Sequence, residues 1–276
     1  MTKAVTAAEG EAGRITTQSL NAYFRQLLNI DYFAKTDISM NGLQVDNDGS
    51  AIKKVAFAVD ACMETFKAAK ECGAGMVFVH HGLFWGHPLV VSKNHRERLN
   101  FLLENNLALY AVHLPLDAHS SLGNNAVLCK LLCVENPQPF GEYHGIKIGY
   151  KGTLKEPLTI KEAVSACAFM ERPPLSILPF GKEKSISCAV VSGGAAMECE
   201  QAIEEGIDLY VTGEGSHQIY HQAKENKLNF IALGHYNSEV WGLRAIMEQM
   251  KNGISADNTT KTNFLETEFV DIPTNL

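Results

Sequence analysis

The sequence predicts an α/β fold of two similar domains, each built on a largely parallel sheet. Three observations carry this expectation. Short apolar segments alternate with amphipathic ones, and a strand–helix–strand order requires crossover connections and parallel pairing. The same order occurs twice along the chain. At three places an apolar segment ends in histidine or acidic residues, the position where ligands collect in open α/β sheets.

Taken in order, residues 1–13 (MTKAVTAAEGEAG) lack the apolar core of a secretory signal and read as a flexible tail, which points to the cytoplasm. Residues 17–30 place Leu20, Phe24, Leu27 and Leu28 at helical spacing. Asn41-Gly42-Leu43-Gln44-Val45 is a turn entering an extended segment. A strand (Val55–Val59), a helix (Met63–Glu71) capped by Gly73, and a strand (Met76–Val79) ending in His80-His81 follow. Residues 93–104 are helical, 107–113 form a strand, and another helix starts near Asn124. Further on come a strand (Cys188–Ser192), a helix (Met197–Glu205) capped by Gly206, and a strand (Leu209–Thr212) ending in Gly213-Glu214-Gly215. Then residues 217–226 are helical, 229–233 a strand, and Ser238–Met250 a helix. Between the two series, residues 134–187 carry most of the prolines and are expected to hold shorter strands, one helix near 160–170, and the domain junction.

The two series align at a constant offset that matches Ala56, Ala69, Glu71, Gly73 and Gly82 with Ala189, Ala202, Glu204, Gly206 and Gly215. A second block sets His113-x-x-x-Asp117 against His235-x-x-x-Glu239. An internal duplication is therefore inferred, with a first α/β domain of 14–125 plus 235–276 and a second of 126–234.

Composition narrows the function. Hydrophobic residues make up 46% and charged residues 20%, an ordinary globular balance, and no apolar run is long enough to span a bilayer. The net charge of −7 and the lack of any Lys/Arg cluster argue against a nucleic-acid partner. The seven cysteines form no C-x-x-C pair and read as reduced thiols, with Cys129 and Cys133 sharing a buried helix face.

The chemistry-bearing residues lie at strand ends: His80-His81, His113 with Asp117, Glu214, and His235 with Glu239. Imidazole and carboxylate together suit a divalent transition metal such as zinc, iron or manganese. Two carboxylates permit a bridged pair of cations, and nearby helix N-termini favour their ionised form. Glu214 reads either as a general base or as a hydrogen-bond partner of the adjacent helix. Trp85 reads as a stacking platform or a packed wall. His87 and His119 read as loop residues, and His217, i, i+4 from His221, as facing the cavity. Ser192-Gly193-Gly194-Ala195 would seat a phosphate or simply form a tight turn. Trp241, Leu243, Ile246, Met247 and Met250 form a helical stripe, either core or subunit interface.

Five ordered motifs, Asn41-Gly42-Leu43-Gln44-Val45, Val79-His80-His81-Gly82, His113-x-x-x-Asp117-Ala118, Thr212-Gly213-Glu214 and Gly234-His235-Tyr236-Asn237-Ser238-Glu239, resemble the dinuclear-metal-centre hexameric protein family. That family is related to the NGG-interacting factor and labelled type 2 GTP cyclohydrolase homologues. The resemblance implies a homohexamer and two divalent metal ions per subunit between the domains. Their ligands fall on His80, His81, Asp117, His235 and Glu239, with His113 outside the ligand set. The family often has Gly-Asp where this chain has Gly213-Glu214. That departure leaves the role of Glu214 open, and it stays the candidate catalytic residue only on its reading as a general base. Metal-dependent hydrolysis of a nucleotide, as the family label says, and of a phosphoester both fit two such cations. The alternative is a non-catalytic scaffold, metal carrier or regulator.

Overall fold

The computed structural model describes residues 14–251, 253 and 265–276; the tail expected over 1–13 lies outside them. The chain forms two compact units, Met1–His113 with Ile246–Ile272, and Leu114–Ala245 with Pro273–Leu276.

The first unit contains α1 (Thr17–Leu27), β1 (Gly42–Val45), β2 (Lys54–Asp60), α2 (Met63–Glu71), β3 (Met76–His81), α3 (Lys93–Glu104) and β4 (Ala108–Ala111). The second contains α4 (Leu114–Ala118), α5 (Asn124–Leu131), β5 (Val134–Tyr143), β6 (Ile146–Leu158), α6 (Ile160–Cys167), β7 (Ser176–Pro179), β8 (Ser185–Val191), α7 (Cys199–Glu204), β9 (Leu209–Thr212), α8 (Ile219–Glu225) and β10 (Asn229–Ala232). Helix α9 (His235–Lys251) ends in the first unit, whose sheet β11 (Glu266–Phe269) then joins.

Local chemistry accounts for several boundaries. Thr16 and Ser19 form a reciprocal capping box at the start of α1, and Thr159 and Glu162 do the same for α6. Gly73 (φ +78°) and Gly206 (φ +68°) take the left-handed turn that ends α2 and α7, as their placement in the sequence requires. Helices α8 and α9 begin at Ile219 and His235 rather than at 217 and Ser238, so His217 precedes the helix that carries His221.

The first sheet has the order β1-β4-β3-β2-β11, with β2, β3, β4 and β11 parallel and β1 antiparallel to β4. The second has the order β5-β6-β8-β9-β10-β7, and only β8, β9 and β10 run parallel to one another. The expectation of largely parallel sheets therefore fits the first and not the second. The cause is the stretch expected to hold short strands. It forms a long hairpin, β5–β6, turned by His144 (φ +48°) and Gly145 (φ +84°). Two consecutive positive φ values match the twist of a tight hairpin. Pro137 and Pro139 are tolerated because β5 is an edge strand.

The division between units also departs from the expected boundaries at 125 and 235. Residues 114–125 and 235–245 group with the second unit. Hydrogen bonds explain it: Asn125 Nδ2 donates to Ile148 O (2.8 Å), Tyr150 Oη to Ala118 O (2.6 Å), and the Gly242 amide to Asn124 Oδ1 (2.7 Å).

Each unit has an aromatic centre. Phe78 on β3 lies 4.8 Å from Phe24, 5.2 Å from Phe57 and 5.6 Å from Tyr110 between ring centroids. Tyr210 on β9 is flanked by Phe140 and Phe230. The α9 stripe is core within the chain, with Leu243, Ile246 and Met250 fully buried. All seven cysteines are free; Cys129 is buried, but Cys133 lies beyond the end of α5 at φ +54° and is exposed, so the two share no core face. Among the described residues no helix is long and apolar enough to cross a membrane.

Removing the Phe78 ring leaves a void among three aromatic neighbours. Phe78→Ala is expected to destabilise the first unit by about 3–5 kcal/mol. Urea unfolding followed by Trp85 fluorescence in a Trp241→Phe background checks it; a loss below about 1 kcal/mol would contradict the packing described.

Candidate metal centre

In the first unit, β3 delivers His80 and His81, and the residue two beyond β4 is His113. One ring nitrogen from each of the three lies within 4.8 Å of the others. Each ring is oriented by its Nδ1. That of His80, whose side chain is fully buried, meets the Val112 carbonyl at 2.9 Å; that of His81 meets Asp60 Oδ1 at 2.8 Å; and that of His113 meets Asp37 Oδ1 at 2.9 Å. A carbonyl or carboxylate only accepts, so Nδ1 carries the proton in each ring and Nε2 is the nitrogen suited to ligation.

Asp37 is held in turn by Asn41 Nδ2 (2.8 Å) and the Ser39 amide (2.9 Å), while Asn41 Oδ1 accepts the His113 amide at 2.7 Å. Burial works to raise the Asp37 pKa, but the His113 imidazole and the hydrogen bonds from Asn41 and Ser39 hold it below its ordinary value. Trp85 donates Nε1–H to Gly82 O at 2.9 Å and sets its ring edge-on to His113 at 5.0 Å. It is a wall of the imidazole cluster.

The second unit contributes Asp117 from α4, and His235 and Glu239 from the first turns of α9. Asp117 is 5% and Glu239 3% exposed, and a carboxylate oxygen of each lies within 4.8 Å of the other. Asp117 Oδ1 accepts Asn124 Nδ2 (2.9 Å) and Ser192 Oγ (2.8 Å). His235 sits between carboxylates, Nδ1 at 2.5 Å from Glu214 Oε1 and Nε2 at 3.2 Å from Glu239 Oε1. Burial works to lower its pKa, yet Glu239 and Glu214 outweigh it and raise it to about 9. Two buried carboxylates this close repel unless a cation lies near them. The His235 imidazole stands against one of them.

Gly193 closes this side. At φ +69° its backbone suits glycine, and a Cβ there would stand 2.4 Å from Glu239 Oε1. Its amide donates to Ser238 Oγ (2.9 Å) and its carbonyl accepts from the Gly213 and Glu214 amides. The Ser192–Ala195 segment is thus a tight turn built against the acidic cluster.

Of the residues singled out in the sequence, His80, His81 and His113 come together in one unit, and in the other Glu239 lies near both Asp117 and His235. Glu214 hydrogen-bonds His235, the first residue of α9. His119 Nδ1 accepts from the Ser121 and Leu122 amides, a loop role as expected. His217 is exposed and borders a separate cavity with Ser176, Leu178 and Tyr220. Asp37, Asp60 and Asn124 were missed. Asp60 carried a signal, since it ends an apolar strand beside the histidine strand; Asp37 lies in a polar loop and carried none.

A family model, Duf34/NIF3 (NGG1p interacting factor 3), matches residues 15–270. A relative from Archaeoglobus fulgidus, named GTP cyclohydrolase 1 type 2 homolog, is 43% identical over 240 residues, covering 87% of this chain and 92% of the relative. The solved structure of protein ybgI, described as of unknown function, gives a TM-score of 0.83 at 34% identity over 95% of this chain and 100% of that one. The crystal structure of TTHA1606 from Thermus thermophilus gives 0.81 at 32% identity, with the same coverage of 95% and 100%.

The Gly193 cradle is directly testable. Gly193→Ala is expected to cost about 1–2 kcal/mol from the left-handed backbone alone, and to displace Glu239. Gly194→Ala, whose Cβ would meet nothing closer than 3.8 Å, is the control and should be near neutral. Denaturation of both variants in chelator, with zinc affinity measured by competition, checks this; equal behaviour of the two would contradict it.

Proposed function

Because the chain belongs to the Duf34/NIF3 (NGG1p interacting factor 3) family, we propose that it is a dinuclear divalent-metal protein acting as a hydrolase on a nucleotide-like substrate. The proposed ligands are His80, His81, Asp117, His235 and Glu239, which would hold two cations of zinc, iron or manganese type. The observation that carries this reading is the shared orientation of His80, His81 and His235, each with Nδ1 against an oxygen acceptor. Outer partners of this kind fix the tautomer and raise the basicity of a ligating imidazole. The donor set also fits: hard carboxylates and borderline imidazoles, without sulfur, suit such ions. Two topologically similar β-α-β-α-β units support an ancestral duplication whose halves have diverged in their donors. Free thiols throughout support a reducing, cytoplasmic setting.

When bound, two cations would supply Lewis acidity for hydrolysis. The chain's own residues orient and neutralise. Asp60 and Glu214 hold the rings of His81 and His235, Ser192 and Asn124 hold Asp117, and Trp85 covers His113. Glu214 is a positioning residue in this reading. Its engagement with His235 through Oε1 favours one alternative, a metal-dependent scaffold without turnover.

Metal content and activity separate these readings. Protein reloaded with zinc or manganese should hold near two ions per chain by elemental analysis. His235→Ala should lose one of them, whereas His113→Ala should keep both at saturating metal, with affinity lowered on the order of 10–100-fold. GTP and other nucleotides should be turned over by the loaded protein and not by Glu239→Gln. Tight binding without products would leave the scaffold standing, and near-zero metal after reloading would remove both.

We further propose a homohexamer, on the family resemblance alone, since the α9 stripe is internal. Light scattering should give roughly six times the 30.3 kDa chain mass; a stable monomer at micromolar concentration would contradict it.

A further inference from the structure

The first unit contains a cavity of about 360 Å³ between the loop that follows α1 and the residues after the histidine strand. This is the lower end of the range for small-molecule pockets, roughly 300–1,000 Å³. Ile30, Ile38 and Met40 give it apolar sides, and Trp85 supplies an aromatic one. Asp37 and Asn41 line it too, so its floor is the network that orients His113.

The polar groups of that floor are largely committed. Asn41 bonds to Asp37, to Ser39 O and to the His113 amide, and the Trp85 N–H is on Gly82 O. Ser39 is the exception. It is 6% exposed, and its Oγ has no hydrogen-bond partner among the described residues. A buried hydroxyl without a partner is costly, and a ligand atom in the cavity would supply one. The rim carries no net positive charge, because the Arg25 guanidinium is paired with Asp31. A phosphate therefore finds no unopposed cation there, whereas a flat uncharged ring finds an indole, aliphatic sides and one hydroxyl.

We propose that this cavity binds a neutral, planar heteroaromatic ring of nucleobase size, beside the imidazole cluster, with Ser39 Oγ hydrogen-bonded to a polar atom on the ring edge. The inference rests on the reading of the protein as acting on a nucleotide-like molecule and assigns the base of that molecule to this cavity. The phosphates lie outside it.

The full chain carries two tryptophans, so Trp241→Phe leaves Trp85 as the only indole reporter. Titration of this metal-loaded protein with guanosine, adenosine and inorganic phosphate is the test. Saturable change of Trp85 fluorescence is expected with a nucleoside and not with phosphate. Ala34→Phe, at an exposed lining position, should weaken nucleoside binding at least tenfold by filling the cavity, and Ser39→Ala should weaken it severalfold. Neither should change metal content or lower the thermal midpoint. Calorimetry with GMP runs alongside. If calorimetry shows GMP binding but Trp85 does not respond, or Ala34→Phe has no effect, the cavity assignment is wrong and the nucleotide reading stands. If neither GMP nor any nucleoside binds by either readout, the nucleotide reading falls with it. A response to phosphate alone would overturn the charge argument.

Discussion

Two carboxylates, Asp117 and Glu239, are almost completely buried with oxygens within 4.8 Å of each other. Charges that close in a poorly solvated place repel strongly, and desolvation adds to the cost. Much of the second unit can be read as a response to this. Asn124 and Ser192 donate to Asp117, the His235 imidazole lies against Glu239, and Gly193 withholds a side chain from the space beside Glu239. Fixing two anions in place is expensive for stability alone. It suits a site whose partner is a divalent cation.

The first unit solves the complementary problem. Three imidazoles crowd together, and protonating them all would create the opposite repulsion. A carbonyl or carboxylate on each Nδ1 fixes the neutral tautomer's proton away from the cluster. Two of those acceptors, Asp60 and Asp37, are negative, so they also raise the electron density that a ring can offer to a metal. His113 shares this design with His80 and His81 although the family resemblance leaves it outside the ligand set. Its network with Asp37 and Asn41 instead joins the imidazole cluster to the cavity lined by Trp85 and Ser39.

The parallel strands explain why such groups converge. Strands β2, β3 and β4 run side by side in register, so Asp60 and His81 pair at their common carboxyl end, and the chain beyond β4 brings His113 to the same end. In the second unit, β8, β9 and β10 lead in the same way to Gly193, Glu214 and His235. The antiparallel additions, β1, β7 and the β5–β6 hairpin, lie at the sheet margins.

Much of this was legible in the sequence because it depends on local pattern. Apolar runs set the strands, Gly73 and Gly206 set helix ends, and histidines at strand ends marked the donors. The hairpin was missed because Pro137 and Pro139 read as breakers, and only an edge position makes them compatible with a strand. Asp37 was invisible because nothing local distinguishes a loop aspartate that turns inward from one in water; its partner, His113, is far away in the chain. The same holds for the unit boundary, which hydrogen bonds from Asn125, Tyr150 and the Gly242 amide move to the start of α4. Residue types and their periodicity determined which elements form and which side chains can bind metal. Which acceptor fixes each imidazole, and which carboxylates are forced together, was decided by tertiary structure, because those contacts join residues that only the folded sheets bring within hydrogen-bonding distance.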